Sequence, residues 1–420
     1  MHYYPKYHIT GEKGWINDPN GFSYYKGYYH LFFQYYPKEP LWGPMHWGHV
    51  RSKDLVHWEH LPIALTPGDK EDLNGCFSGS AIEYNNRLYL IYTGNIYDDE
   101  DHITFHQNVN IAYSDDGIHF HKYKNNPVIT APPADNTHHF RDPKVWKEND
   151  HFKMIIGGQK KDGRGHVLLY QSYDLIHWEY LKEYKHALLN EGKIWECPDL
   201  MRLNGEDILL ISPQGIQEES EKYRNYHQTG YFKNNIFTEL DHGHDFYATH
   251  TMLAPDGRRI LIAWMDMWHS EFPEKEEGWS GVLTFPRELT IHDHHLYMMP
   301  IVELSLLRKE TIEKEIKEYT LPSRQVEIDI PIDNDFYLEF KDSFVSYTIN
   351  IQNLKVTVLN KTERTGYIKN YISIKILMDS SSIELFINNG ELVFSDRVYF
   401  KETPLLLLHK KTLCKITTLG

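Results

Sequence analysis

The sequence predicts an all-β protein, a five-bladed β-propeller followed by a smaller C-terminal β-sandwich, and three observations carry that expectation. One hairpin pattern is written five times within the first 300 residues, aromatic residues reach 14% of the chain, and plain apolar–polar alternation takes over after Pro300. A hairpin unit returning at intervals of roughly 50 to 65 residues describes a radial array of antiparallel blades. Aromatic side chains in such numbers suit pleated surfaces and stack on sugar faces.

The five hairpins run from Phe22 to Tyr36 around Lys26-Gly27, Ala81 to Gly94 around Asn85-Asn86, Lys144 to Gly158 around Asn149-Asp150, Leu200 to Ser212 around Asn204-Gly205, and Met252 to Met265 around Asp256-Gly257. Asn-Gly and Asp-Gly tolerate the positive φ that a tight hairpin turn requires. A second repeat, Ser-x-Asp-x-x-His-Trp/Phe, keeps phase with the first at Ser52–Trp58, Ser114–Phe120 and Ser172–Trp178. Residues 1–305 are therefore assigned to the propeller. Residues 306–320 mix apolar and charged side chains and are expected to form a short, helix-like linker ending at Pro322. Residues 321–420 alternate in runs such as Val326–Ile330, Ile372–Ile376 and Ile383–Ile387, the signature of sheets with one wet face.

Composition excludes several classes of function. A formal charge of −15 repels nucleic acid and anionic lipid. Cys76, Cys197 and Cys414 are far apart and odd in number, so neither a disulfide framework nor a zinc ribbon is encoded. The amino terminus lacks a basic start followed by an apolar run, and no uncharged stretch reaches the length of a membrane span. The expectation is a cytoplasmic protein with reduced thiols. His138-His139 and His292-Asp293-His294-His295 lack metal-site spacing, and no metal or other cofactor is expected.

Three segments enter three hairpins alike: Trp15-Ile16-Asn17-Asp18-Pro19-Asn20-Gly21, Phe140-Arg141-Asp142-Pro143 and Trp195-Glu196-Cys197-Pro198-Asp199. Alone, each is ordinary turn chemistry. Innermost strands of a propeller converge on one axis, however, so the three turns would become one acidic pocket. Two carboxylates flanking a cavity are what glycosidic cleavage needs, one to protonate the leaving oxygen and one to attack or to activate water. Trp15, Trp42, Phe77, Trp195 and Trp279 are candidate stacking surfaces. A metal site and a sugar-binding propeller without catalysis remain open on these residues alone; an inverting arabinosidase is a further alternative, against which the Trp15–Gly21 segment argues.

These segments, together with Trp42–His49, Phe77-Ser78-Gly79-Ser80, Trp279–Leu289 and Ser381–Asn388, resemble in the same order the motifs of glycoside hydrolase family 32, the invertases and fructosidases. Ser212–Gly215 and Asp241–Tyr247 look most like its bacterial members acting on sucrose 6-phosphate. The resemblance implies the same propeller and sandwich, and a retaining β-fructofuranosidase with Asp18 as nucleophile, Glu196 as acid and base, and Asp142 as transition-state stabiliser. It also implies sugar contacts from Trp15, Asn17, Gln34, Trp42, Phe77, Ser78, Arg141 and Trp279. The substrate would be a small fructoside: sucrose 6-phosphate, sucrose or a short fructan, with fructosyl transfer as an alternative outcome. A phosphate would need cations, and Lys193, Arg224 and His227 lie in segments within reach. The sandwich is short beside the family, a departure that bears on a homo-oligomer contact and on access to long fructans rather than on catalysis. Crowded carboxylates raise at least one pKa of their set, and the acid in particular must hold its proton near neutrality.

Overall fold

The Ser-x-Asp-x-x-His repeat folds as a self-capped turn. Asp54 accepts the backbone N–H groups of Val56 and His57 at 3.0 and 2.8 Å, and its other oxygen takes His57 Nδ1 at 2.8 Å. Asp116 with His119 and Asp174 with His177 do the same. The residue after each Asp, Leu55, Gly117 or Leu175, has positive φ, which reverses the chain between the third and fourth strand of a blade. These histidines are turn caps, and the regular phase of the blades follows from them.

The computed structural model describes residues 1–188, 190–233 and 235–420. Five antiparallel sheets surround one axis, and their innermost strands are Gly14–Tyr25, Gly75–Tyr84, Asn136–Glu148, Ile194–Leu203 and Tyr247–Leu253. The ring is closed by Trp279–Ser280, which leaves the fifth blade's region and pairs in parallel with Gly14–Trp15 of the first. Core side chains fill the spaces between blades; Phe140, Phe152 and Ile156, for example, pack with Ile91 and Ile111. Among the described residues no helix is long and apolar enough to cross a membrane.

The expected linker at 306–320 is corrected. Val302–Leu307 is a short 3-10 turn, and Arg308–Thr320 is a thirteen-residue strand paired antiparallel with Leu405–Leu419. Ile312 and Ile316, four apart, mimic a helical stripe, yet the same spacing places both on one face of a strand. The charges between them belong to a mostly exposed strand, a composition that discourages edge-to-edge pairing. Ten strands form one sheet that folds over a shared core of Leu338, Ile349, Ile376, Leu385 and Phe394.

Buried ion pairs join this sandwich to the last blade. Arg287 reaches Asp241 at 3.0 Å and Glu384 at 3.1 Å, and Arg397 reaches Asp266 at 2.5 Å and Glu274 at 3.0 Å. His8 bridges Asp379 and Glu384 at 3.0 and 2.8 Å, tying the amino-terminal segment into the same network.

Candidate active site

Each innermost strand breaks its ladder near the same end of the axis. Register shifts fall between Ile16 and Pro19, Phe77 and Gly79, Glu196 and Asp199, and Tyr247 and His250, and opposite Asp142-Pro143. Pro19, Pro143 and Pro198 have no N–H to donate and so sit naturally where pairing lapses. Asp142, Cys197 and Ala248 take positive φ at these bulges, a conformation costing non-glycine residues about 1–2 kcal/mol. The bulges re-aim Asp18, Asp142 and Glu196 into one cavity of about 300 Å³.

The carboxylates are held differently. Asp18 accepts Asn17 Nδ2 at 2.9 Å on one oxygen and Ser78 Oγ at 2.6 Å on the other. Asp142 accepts the Cys197 N–H at 2.8 Å, and its own N–H donates to Thr93 Oγ1 at 3.0 Å. Glu196 takes Arg141 Nε at 3.0 Å and Nη2 at 2.6 Å on Oε1, and Gln214 Nε2 at 2.6 Å plus the Tyr247 hydroxyl on Oε2. The Cys197 thiol stands 3.6 Å from Asp18 and 3.7 Å from Asp142.

Proton affinities follow these surroundings. Burial lifts Asp142, Arg141 opposes the lift, and repulsion from Glu196 and Asp18 adds to it, leaving the carboxyl at about 7. Burial also raises Asp18, against the pull of Ser78 and Asn17. Burial pushes Glu196 up as well, but Arg141, Tyr247 and Gln214 outweigh it and hold the group below its ordinary value. The expectation of a lifted acid is thus corrected: of the three carboxyls the most lifted is Asp142. Burial and the adjacent carboxylates push Cys197 well up, so it stays a thiol. His139 is driven to about 3 by burial and Arg141, and accepts Arg141 Nη1 as a neutral ring at 2.9 Å.

Asn17, Gln34, Trp42, Phe77, Ser78 and Arg141 line the cavity with the three carboxylates. Trp42 is 42% exposed and meets Phe77 edge-on at 6.1 Å, an open stacking platform. Two expected contacts lie elsewhere. Trp279 is fully buried in the ring closure, its indole donating to Glu277 at 3.2 Å. Trp15 is buried behind the wall, where it donates to Asn17 Oδ1 at 2.9 Å and stacks on Trp268 at 5.9 Å. Trp195 is likewise buried and offers no stacking face. Arg224 sits at the sandwich junction, donating to the Glu363 carbonyl at 2.9 Å, away from the cavity. The sequence gives Tyr247, His139 and Trp268 no role in the pocket: Tyr247 enters only as the end of a motif, and His139 only in a pair lacking metal-site spacing. Tyr247 opens the fifth blade as Asp18 opens the first, and that repeat position is the signal that marks it.

A pocket at a propeller's axis, lined by three carboxylates and an exposed aromatic platform, has the make-up that a glycoside hydrolase requires. Residues 8–300 match the Glycosyl hydrolases family 32 N-terminal domain and residues 332–409 the Glycosyl hydrolases family 32 C terminal. The chain belongs to glycoside hydrolase family 32. A sucrose-6-phosphate hydrolase of Escherichia coli is 39% identical, over 94% of this chain and 89% of the relative. One of Bacillus subtilis is 36% identical over 94% and 88%. A family 32 beta-fructofuranosidase from Bombyx mori superposes with a TM-score of 0.94 at 37% identity, covering 100% of this chain and 94% of that one.

Proposed function

We propose that this enzyme is a retaining β-fructofuranosidase that hydrolyses sucrose 6-phosphate and sucrose. The observation that carries the reading is the meeting of Asp18, Asp142 and Glu196 in one cavity, each with its own partners. Glu196 gives its proton to the bridging oxygen as the bond from that oxygen to the fructose anomeric carbon breaks. Asp18, fixed by Asn17 and Ser78, attacks the carbon and forms a fructosyl ester. Glu196 then takes a proton from water, whose oxygen displaces Asp18 and releases fructose. Asp142 hydrogen-bonds fructose hydroxyls as the ring flattens.

Glu196 starts this cycle short of a proton because Arg141 grips it. A fructoside hydroxyl that draws the guanidinium aside removes the main pull on the carboxyl and raises its proton affinity when the substrate arrives. The names of the relatives support the substrate class. Three unpaired cysteines support a reducing compartment, and we place the reaction in the cytoplasm. Asp18→Asn and Glu196→Gln should each lower kcat by several orders of magnitude with the Tm retained. NMR of the first-formed fructose should show the β anomer; the α anomer would mean inversion and sink the mechanism.

A further inference from the structure

We propose that Lys193, His227 and His269 form an anion subsite that holds a terminal phosphomonoester on the leaving sugar. The inference rests on the reading of Glu196 as the acid, because the leaving sugar must lie on that carboxyl's outer side. Gln214, which donates to Glu196, is where three segments lace together. Lys193 N donates to the Gln214 carbonyl at 2.8 Å, Gly215 N to the Tyr226 carbonyl at 2.9 Å, and His227 bridges to Gln214. Lys193 and His227 are thus fixed to the residue that touches the acid.

Gly215 keeps this edge open. A Cβ there would stand 3.3 Å from the Tyr226 hydroxyl and 3.4 Å from Lys193 Cδ, so the lysine stem and the phenol flank a bare backbone. His227 is only 8% exposed, and its buried Nδ1 has no hydrogen-bond partner among the described residues. Its ring lies 5.4 Å from Tyr247, 5.6 Å from His269 and 6.5 Å from Trp268, which lines the cavity. Lys193 is exposed and forms no ion pair among the described residues, and nearby Glu191 is engaged with the Leu188 N–H at 2.7 Å.

On the far rim, Asp98, Asp99, Glu100 and Asp101 follow a strand whose last residue, Tyr97, lines the cavity. A phosphate is repelled there and by the catalytic carboxylates, so a phosphorylated leaving sugar is steered to the Lys193 side. Arg224, committed to the sandwich junction, is outside the subsite.

The test measures kcat/KM for sucrose 6-phosphate and for sucrose in the wild type, Lys193→Met, His227→Gln and Arg224→Met, with Tm recorded for each. The wild type should prefer the phosphorylated substrate, and the preference should fall at least tenfold in Lys193→Met and His227→Gln but hold in Arg224→Met. Inorganic phosphate should inhibit wild-type sucrose hydrolysis competitively, with a Ki raised at least tenfold in Lys193→Met. If His227→Gln fails to fold, Lys193→Met, an exposed substitution, decides alone. An unchanged preference in Lys193→Met, or no wild-type preference, overturns the subsite and leaves the fructosidase reading intact. Failure of the wild type to cleave either sugar overturns that reading as well.

Discussion

Removing the Tyr247 hydroxyl should move the alkaline limb of the pH–rate profile upward. In the free enzyme that limb reports loss of the acid's proton. Tyr247 donates to the charged form of Glu196, as do Gln214 and Arg141, and all three favour the carboxylate. A hydrogen bond to a charged acceptor contributes about 1.5–3 kcal/mol, and one pKa unit corresponds to about 1.4 kcal/mol. Tyr247→Phe should therefore raise the proton affinity of Glu196 and shift the limb of kcat/KM by about one to two units to higher pH. The Phe ring keeps the buried volume, and the one lost donation is also the bond that orients the acid, so kcat should fall roughly tenfold. The assay is kcat/KM for sucrose from about pH 3 to 8, a range that reaches below the ordinary carboxyl value, with circular dichroism as the check on folding. A limb that stays put, or moves down, would refute the claim that Tyr247 stabilises the ionised acid.

Other expectations concern stability and reactivity. His8 is raised from 6.5 to about 9, since its bonds to Asp379 and Glu384 outweigh the cost of burial. A raised folded-state value means this stabilisation is complete below pH 6.5 and lost as pH climbs through 9. It amounts to about 3 kcal/mol. The Tm should drop across that window in the wild type and much less in His8→Gln. Gly79→Ala would place a Cβ 2.0 Å from the Ile91 carbonyl oxygen, beside Ser78, and should cost about 1–3 kcal/mol in chemical denaturation while lowering kcat. Burial pushes the Cys76 and Cys197 thiols well up and Cys414 to about 11. Iodoacetamide at pH 8 should therefore label none of them until denaturant is added; fast labelling of the native protein would contradict this.

The blades were legible because a hairpin leaves local marks, turn residues between apolar runs, and five copies share one grammar. The meeting of Asp18, Asp142 and Glu196 in one cavity was legible because the repeat puts them at equivalent entries. Trp15 and Trp279 carry the same motif signal as true wall residues, yet burial is set by the ring closure, a contact between residues more than 260 apart. The charged run at 308–320 misled because one turn of helix and two pleats of strand both bring residues four apart to one side, and only the distant partner at 405–419 decides. Arg224 was drawn away by a sandwich carbonyl that no propeller pattern announces. The affinity of Glu196 was beyond reach because it depends on which of several neighbours Arg141 faces.

The charge-paired seam between blade and sandwich has a consequence for how such genes can be cut and joined. Asp241, Asp266 and Glu274 face arginines borne on Arg287 or the sandwich's Arg397, and Glu384 answers from the other side. A propeller expressed alone would keep Asp241 with Arg287 but carry Asp266 and Glu274 without Arg397, and breaking one such buried pair costs about 3–5 kcal/mol. A chimera that swaps the sandwich should therefore keep its stability only if it brings an arginine and a glutamate matching Arg397 and Glu384 with it.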